Sequence, residues 1–338
     1  MIPPFPLLVR KVVNSTSGLT IMENPSASLV ETEGNKIHGS QRIQDIVAKV
    51  AKLQMAIVEN TSAFDVETED NKRIQDIVAK VQLAVETLEK SSFFRDFKRQ
   101  MRHPKLVEQI KRVIAADPQH SQLQLVLYGV GGMERGPGYP VVEICHTQLA
   151  FAILIRHKFQ WVSDIVVYDP SVPPVQQKAI NAFNCTFLAV NEYGKRTVER
   201  PTLFFMPHCP TGLVDNVLLA NWTPSNLNKI IILGDSFKRT KKDIHHSQYL
   251  LSLKHLLAIL HSDNIVQEMP LPEPKTGEPI PGYPDGLNRA AFGRFSWHFF
   301  TLDGSIEDLN LNLFPEVLPN NGSSRYLEAI KAKIPMGE

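Results

Sequence analysis

From residue 122 onward the chain alternates short apolar runs with longer segments of helical periodicity, which constrains its fold more than any other feature. Four apolar runs predict strands, at Leu123 to Tyr128, Asp164 to Tyr168, Thr202 to Phe205 and Lys229 to Leu233. Helical periodicity predicts helices at Val141 to Lys158, Pro174 to Phe183, Leu213 to Asn221 and Gln248 to Leu260. This alternation is the βαβ signature of a mostly parallel sheet. We predict an α/β fold with a Rossmann-like sheet, flanked by helices and preceded by an N-terminal helical segment.

Composition along the chain divides it into four predicted regions. These are a disordered tail over 1–34, a helical segment over 35–117, the α/β domain over 118–302 and a C-terminal tail over 303–338. A transit peptide is the alternative interpretation of the first 28 residues, which contain several serines and a single acid at Glu23. Six prolines between Met269 and Pro284 predict a loop, after which the aromatic run Phe292 to Phe300 returns to the core.

The helical segment contains an internal duplication. The nine residues Arg42 to Val50 return unchanged as Arg73 to Val81, and a closely similar heptad precedes each copy. Two copies are too few for a solenoid, so a local duplication is the simpler explanation. Apolar residues in the second copy follow helical spacing, at Ile74, Ile77, Val78, Val81, Val85 and Leu88. This predicts an amphipathic helix, and both a docking role within the fold and a partner-binding role stay open.

The overall charge and the cysteines limit the classes of function. Lys and Arg total 36 against 35 for Asp and Glu, so no overall field draws the chain to DNA or to an anionic membrane. The three cysteines form no C-x-x-C pair, and no apolar window is long enough to span a bilayer. We therefore expect no direct DNA binding, no membrane contact and a reducing compartment, the cytoplasm or the nucleus.

Polar clusters follow each of the four predicted strands. Because the carboxyl ends of parallel strands share one edge of a sheet, where open α/β folds bind ligands, these clusters predict a single cleft. The candidate ligand residues are Gly129, Gly131, Asp169, His208, Cys209, Asn216 and Asp235. The sequence does not identify a cofactor for this cleft.

Each candidate residue also has a structural interpretation. The glycines allow a backbone to approach a phosphate, but Glu134 stands where the dinucleotide fingerprint requires Gly or Ala, which favours a tight turn. Asp169 suits a ribose hydroxyl and equally a turn before proline. His208 and Cys209 are adjacent, so on an extended segment their side chains point apart and do not form a base and nucleophile pair. We predict no catalytic residue and no metal site.

A leucine triplet lies near the C-terminus. Leu309, Leu311 and Leu313 occupy alternate positions, which places them on one side of an extended peptide. The pattern resembles the L-x-L-x-L motif with which plant regulators recruit corepressors. An ordinary edge strand is the alternative interpretation.

Several segments stand in a characteristic order along the chain. The main stretches are Phe204 to Pro210 and Asn216 to Trp222. Supporting segments are Gly129 to Gly131, Gln148 to Ala150, Val167 to Pro170, Asn191 with Glu192, Gly194 with Lys195, and Ile231 to Phe237. Together they resemble the Sensitivity to Red Light Reduced family. The chain departs from the family pattern in the long turn Glu134 to Pro140, in Val214 where an aromatic is expected, and in the duplicated helix.

The resemblance spans roughly Phe93 to Phe300. It implies a regulatory protein of phytochrome-linked red-light signalling and the circadian clock, in cytoplasm and nucleus, with protein partners from those pathways. Relatives outside plants are tied to haem metabolism and microtubules. The family brings no established catalytic residues. A ligand-dependent enzyme, using a nicotinamide dinucleotide, adenosylmethionine or a haem-related ligand, is the alternative.

Overall fold

The computed structural model describes residues 69–134, 142–243, 253–261, 265–274 and 286–302. The first copy of the duplication, the two predicted tails and the leucine triplet lie outside the described residues. Most of the long turn after Glu134 lies outside them as well.

The centre of the described structure is a mixed sheet of seven strands. They are β1 Leu123–Tyr128, β2 Val162–Tyr168, β3 Cys185–Phe187, β4 Thr202–Met206, β5 Ile230–Asp235, β6 Val266–Pro270 and β7 Phe295–Phe300. Their order across the sheet is β3-β2-β1-β4-β5-β7-β6. The first five are mutually parallel, and β7 runs antiparallel to both neighbours. The predicted mostly parallel sheet is confirmed.

Helices precede the sheet and connect its strands. They are α1 Glu69–Lys90, α2 Ser92–Gln100, α3 Pro104–Ala115, α4 Val142–Lys158, α5 Pro174–Asn181, α6 Thr211–Ala220, α7 Pro224–Leu227, α8 Phe237–Asp243, α9 Lys254–His261 and α10 Leu287–Phe292. The four predicted crossover helices are present in the described residues. The first three begin and end within two positions of the predicted bounds, which is the usual uncertainty at helix termini. The fourth is described only from Lys254, and positions 248–252 of its predicted range lie outside the described residues.

Both faces of the sheet are buried, as expected where helices cover a parallel sheet. Strand β1 is buried along its whole length. Leu125 and Leu127 face one core cluster while Val126 and Tyr128 face the other, because successive side chains alternate across a strand. Helices α1 to α5 and α10 cover the first face, and helices α6, α7 and α9 cover the second.

The N-terminal helices belong to the same core as the sheet. Helix α1 packs mainly on α4 and α5, with Ile77 and Val81 fully buried. The predicted amphipathic helix is therefore present and docked within the fold. Helix α2 begins after Ser91, whose hydroxyl accepts from the Phe94 N–H, and contributes Phe97, whose ring centroid lies 4.8 Å from that of Phe151.

Three strands were not predicted. Strand β3 has three residues, too few for periodicity to reveal it. The aromatic run does return to the core, and its second part forms β7. The predicted loop from Met269 is wrong for its first two residues, because Met269 and Pro270 end strand β6. A proline is tolerated there because β6 is the edge strand.

No helix in the described part of the chain is long and apolar enough to cross a membrane.

Candidate functional site

Apart from Asn216, the candidate residues lie at the edge where β1, β2, β4 and β5 end, which we call the carboxyl edge. Strand order reverses between β1 and β4, and the crevice outside such a reversal is where open α/β sheets bind ligands. Gly129 follows β1, and His208 and Cys209 follow β4. The candidates therefore lie beside the position where a ligand is expected.

The side chain of Cys209 lies in that crevice. A Cβ atom added to Gly129 would lie 2.6 Å from Cys209 Sγ, so the glycine provides the space that the thiol occupies. Gly129 has a φ of +75°, a conformation that side chains disfavour. The Cys209 thiol donates to the Tyr128 carbonyl over 3.3 Å, and burial raises its pKa far above the usual range. Cys209 is therefore a neutral thiol, which argues against a nucleophilic role.

Asp169 closes the glycine turn rather than facing an open cleft. Its Oδ2 accepts from the Gly131 N–H over 2.9 Å, and its Oδ1 accepts from the Ser171 N–H over 2.8 Å and from the Ser171 hydroxyl. The side chain is buried among these partners. These contacts match the interpretation of Asp169 as a turn former.

Two further side chains fix the end of the same turn. Gln176 Oε1 accepts from the Met133 N–H over 2.7 Å. His146 Nε2 lies 2.9 Å from the Met133 carbonyl oxygen, which requires the tautomer with a proton on Nε2. Burial lowers the pKa of His146, so this ring is neutral near pH 7.

Glu134 links the glycine turn to helix α1. Arg73 donates to both carboxylate oxygens, from Nε over 3.0 Å and from Nη2 over 2.6 Å. Gln176 Nε2 donates to the same carboxylate over 2.8 Å. The hydrogen bond from Arg73 is the main cause of a lowered pKa for Glu134. The residue that breaks the dinucleotide fingerprint thus serves as the anchor for the second copy of the duplicated helix.

His208 and Asp235 face each other after β4 and β5. His208 adopts a positive φ of 51°, and its Nε2 lies 3.0 Å from the Ala290 carbonyl oxygen. Its Nδ1 lies 3.9 Å from Asp235 Oδ1, too far for a direct hydrogen bond. Burial raises the pKa of Asp235, although the charges of His208, Arg294 and Arg239 act in the opposite direction.

The space beside this pair is small. Asp235 Oδ1 is buried and has no hydrogen-bond partner among the described residues. The neighbouring cavity, lined by residues that include Asp235, Cys209 and Phe237, has a volume of about 20 Å³. That volume holds about one water molecule. It does not hold a nucleotide.

The backbone donors at the start of α8 are also occupied. Phe237 N–H donates to His298 Nε2 over 3.3 Å, and Lys238 N–H donates to Glu268 Oε2 over 2.9 Å. The Ser236 hydroxyl donates to Glu268 Oε1 over 2.5 Å and accepts from the Arg239 N–H over 3.3 Å. This helix start therefore presents its donors to the protein itself.

Asn216 lies apart from the other candidates. Its side-chain amide donates to the Tyr193 carbonyl over 2.8 Å and so joins α6 to the loop after β3. The same loop is held by Glu192, which accepts from the Tyr128 hydroxyl over 2.6 Å and pairs with Arg196. Tyr193 itself is half exposed. Asn216 thus has a structural contact, and ligand binding by the candidate set stays a prediction.

Sequence reasoning missed the side chains that fill the carboxyl edge. Among the described residues, five N–H groups at this edge, those of Gly131, Met133, Phe237, Lys238 and Arg239, donate to side chains of the chain itself. The sequence identifies Glu134 only as a departure from the dinucleotide-binding fingerprint and does not reveal its contacts. No described group of His, Cys, Asp or Glu side chains has the arrangement of a metal site.

A family model decides the identification. The SRR1 domain model matches residues 85–299, which is more than half of the chain. The chain belongs to the SRR1 domain family. The match contains the glycine turn, Asp169, His208, Cys209 and Asp235, whereas Arg73 and the duplication lie before it.

Relatives of the SRR1 domain agree with this assignment. Protein SENSITIVITY TO RED LIGHT REDUCED 1 of Arabidopsis thaliana is 32% identical over 69% of this chain and 77% of the relative. An SRR1-like protein of Mus musculus is 37% identical over 35% of this chain and 46% of the relative. An SRR1-like protein of Drosophila melanogaster is 29% identical over 27% of this chain and 33% of the relative. The plant relative supports a regulatory interpretation connected with red light.

Two solved structures share features of this SRR1 domain at low similarity. The 23S rRNA methyltransferase ErmE has a TM-score of 0.26 and 9% identity, covering 61% of this chain and 70% of that one. The plantazolicin methyltransferase BpumL has a TM-score of 0.28 and 11% identity, covering 70% of this chain and 100% of that one. Likeness at this level says nothing about ligand or reaction.

Proposed function

We propose that this chain is a regulatory protein of phytochrome-linked red-light signalling and circadian clock control, acting through protein partners in the cytoplasm and the nucleus. Membership of the SRR1 domain family, with a plant relative named for reduced sensitivity to red light, supports the proposal. The carboxyl edge gives physical support. Its crevice contains Cys209, and its described backbone donors bind side chains of the same chain, so contacts with other proteins suit this molecule better than catalysis.

Expression of the chain in Arabidopsis plants that lack the relative tests this function. We expect seedlings to recover their growth response to red light, because the SRR1 domain would replace the missing regulator. The relative itself is the positive control, and an empty vector is the negative control. A reduced red-light response in plants that accumulate the folded chain would contradict the proposal.

The proposal includes recruitment of a transcriptional corepressor by the leucine triplet Leu309, Leu311 and Leu313, which lies outside the described residues. Replacing all three by alanine is expected to reduce corepressor capture in a pull-down at least tenfold, because alternate leucines enter one groove. The melting temperature is expected to stay unchanged.

The matched control replaces Asn310 and Asn312 by alanine, since these residues point to the other side of an extended peptide. Equal capture by the two variants would reject the motif. A large fall in melting temperature of the leucine variant would assign the leucines to the core.

A ligand-dependent enzyme is the second candidate function. The observation in its favour is the pair of titratable groups His208 and Asp235 beside the strand-order reversal, where the pKa of Asp235 is raised by burial. The candidate ligands are a nicotinamide dinucleotide, adenosylmethionine and a haem-related compound. Saturable binding of one of them to the purified chain would support this candidate.

A further inference from the structure

The duplicated helix suggests a second occupant for the surface that α1 covers. We propose that residues 42–57 of the same chain dock as a helix in the place of α1, so that one surface of the SRR1 domain binds either copy. The surface is formed mainly by α4, α5 and the glycine turn. This inference is independent of the proposed function.

The first copy has apolar residues at all five buried positions of α1. The two copies align with an offset of 31 residues, from Arg42 and Arg73 onward. The buried residues of α1 are Ile74, Ile77, Val78, Val81 and Leu88. Their counterparts in the first copy are Ile43, Ile46, Val47, Val50 and Ile57. Four of the five are identical and the fifth exchanges leucine for isoleucine, a change of shape without loss of volume.

The charged contact of α1 with the glycine turn is preserved as well. Arg73 is the residue that holds Glu134 through two hydrogen bonds, and Arg42 is its counterpart. A bidentate arginine and carboxylate pair fixes position as well as charge, so the same anchor would set the register of either copy. The pair Asp76 and Lys80 on the exposed face returns as Asp45 and Lys49.

Three features favour α1 over the first copy, and the first of them is the contact of Glu89 with Lys158, which the equivalent Val58 cannot form. The partly buried Ala84 and Val85 correspond to Leu53 and Gln54, so one contact gains volume and another gains a polar amide. Helix α1 also leads into α2 through the single residue Ser91. Docking of the first copy instead closes a loop over residues 60–91, and the entropy of loop closure grows only slowly with length. The first copy is therefore a weaker competitor within reach of the surface.

Exchange has a consequence for recognition. When the first copy docks, the apolar face of α1 is released together with Leu83, which is already 64% exposed in the docked helix. A partner that binds this released helix would shift the molecule toward the exchanged state, because it binds one of two states preferentially.

Four full-length proteins test the exchange by thermal melting. They are the native chain, a first-copy variant with Ile46→Asp and Val50→Asp, a second-copy variant with Ile77→Asp and Val81→Asp, and a variant with all four changes. We expect the first-copy variant to melt with the native chain. The second-copy variant should melt cooperatively at a lower temperature, and the fourfold variant should melt at least about 10 °C below it or fail to fold. Equal melting, or equal failure to fold, of the second-copy and fourfold variants would overturn the proposal.

Two controls test whether docking of the first copy is what keeps the second-copy variant folded. Phe97→Ala removes a buried ring that has no counterpart in the first copy. This change should therefore lower the melting temperature by the same amount with and without the first-copy changes. In the second-copy variant, a short bismaleimide should join Val58→Cys to Lys158→Cys within one chain, because Val58 is the counterpart of Glu89, which contacts Lys158 in the described structure. Sedimentation of the second-copy variant should show a monomer. A dimer in this measurement, or the absence of the cross-link, would refute docking within the same chain.

Discussion

Gly129→Ala is expected to lower the free energy of unfolding by about 3 kcal/mol. Part of the loss comes from the φ of +75°, which disfavours a side chain. The rest comes from a Cβ placed 2.6 Å from Cys209 Sγ in a packed crevice. Urea unfolding of the native and variant proteins measures the difference.

A double-mutant cycle identifies the crevice as the cause. Cys209→Ala removes the sulfur that meets the new Cβ, so the double variant should lose less stability than the sum of the single variants, by about 1 kcal/mol or more. Gly194→Ala is the matched control, because Gly194 also has a positive φ but its added Cβ would meet Leu213. Strict additivity of Gly129→Ala with Cys209→Ala would show that the thiol does not fill the crevice.

The second large effect is a loss of stability in mild acid that arises from His298. This ring is fully buried, its Nδ1 lies 3.1 Å from the Ile232 carbonyl oxygen, and burial lowers its pKa to about 4. An unfolded histidine titrates near 6.5, so below that pH the unfolded state binds a proton that the folded state excludes. The free energy of unfolding therefore falls as pH decreases, by about 2 kcal/mol between pH 7.5 and pH 5.

Urea unfolding of the native chain and of His298→Gln across this range measures the effect. The variant should start at a lower stability, because it loses packing against Phe237, but its stability should depend less on pH. The control is His103→Gln, which removes an exposed histidine. An unchanged pH dependence in His298→Gln would show that another group causes the acid loss.

The sequence was a good guide to the parallel core and a poor guide to the antiparallel edge. Leu123 to Tyr128 and Thr202 to Phe205 are mostly apolar because helices cover both sides of their strands, and Gln124 and Thr202 are the exceptions. Strand β6 has no fully buried residue and ends in proline, so its sequence resembles that of a loop. The aromatic run Phe292 to Phe300 predicts a buried segment but not the strand beside it. The pairing of β7 with β5 depends on the tertiary fold.

The site shows the same limit. Gly129, Asp169 and Asp235 could be predicted to lie at the carboxyl edge because each follows a predicted strand. The ends of parallel strands meet at this edge in any open α/β sheet. Position after a strand was not enough to find the partners of Glu134, because Arg73 lies 61 residues before it and Gln176 lies 42 residues after it. Contacts over such distances along the chain leave no periodic signal.

These partners change the interpretation of the carboxyl edge. A glycine turn with free N–H groups binds phosphates, whereas here Asp169 and Gln176 accept from that turn. The start of α8 likewise donates to Glu268 and His298. A ligand would have to replace these internal hydrogen bonds, and breaking them leaves buried groups unpaired.

A ligand titration monitored by thermal unfolding tests directly whether the chain's own side chains, rather than a bound ligand, occupy the carboxyl edge. The purified chain is titrated with nicotinamide dinucleotides, adenosylmethionine and haem. We predict no saturable rise in melting temperature for any of them. A ligand of the second candidate class would instead stabilise the folded state by about 2.7 kcal/mol at a hundred times its Kd. Saturable stabilisation of that size would contradict the account.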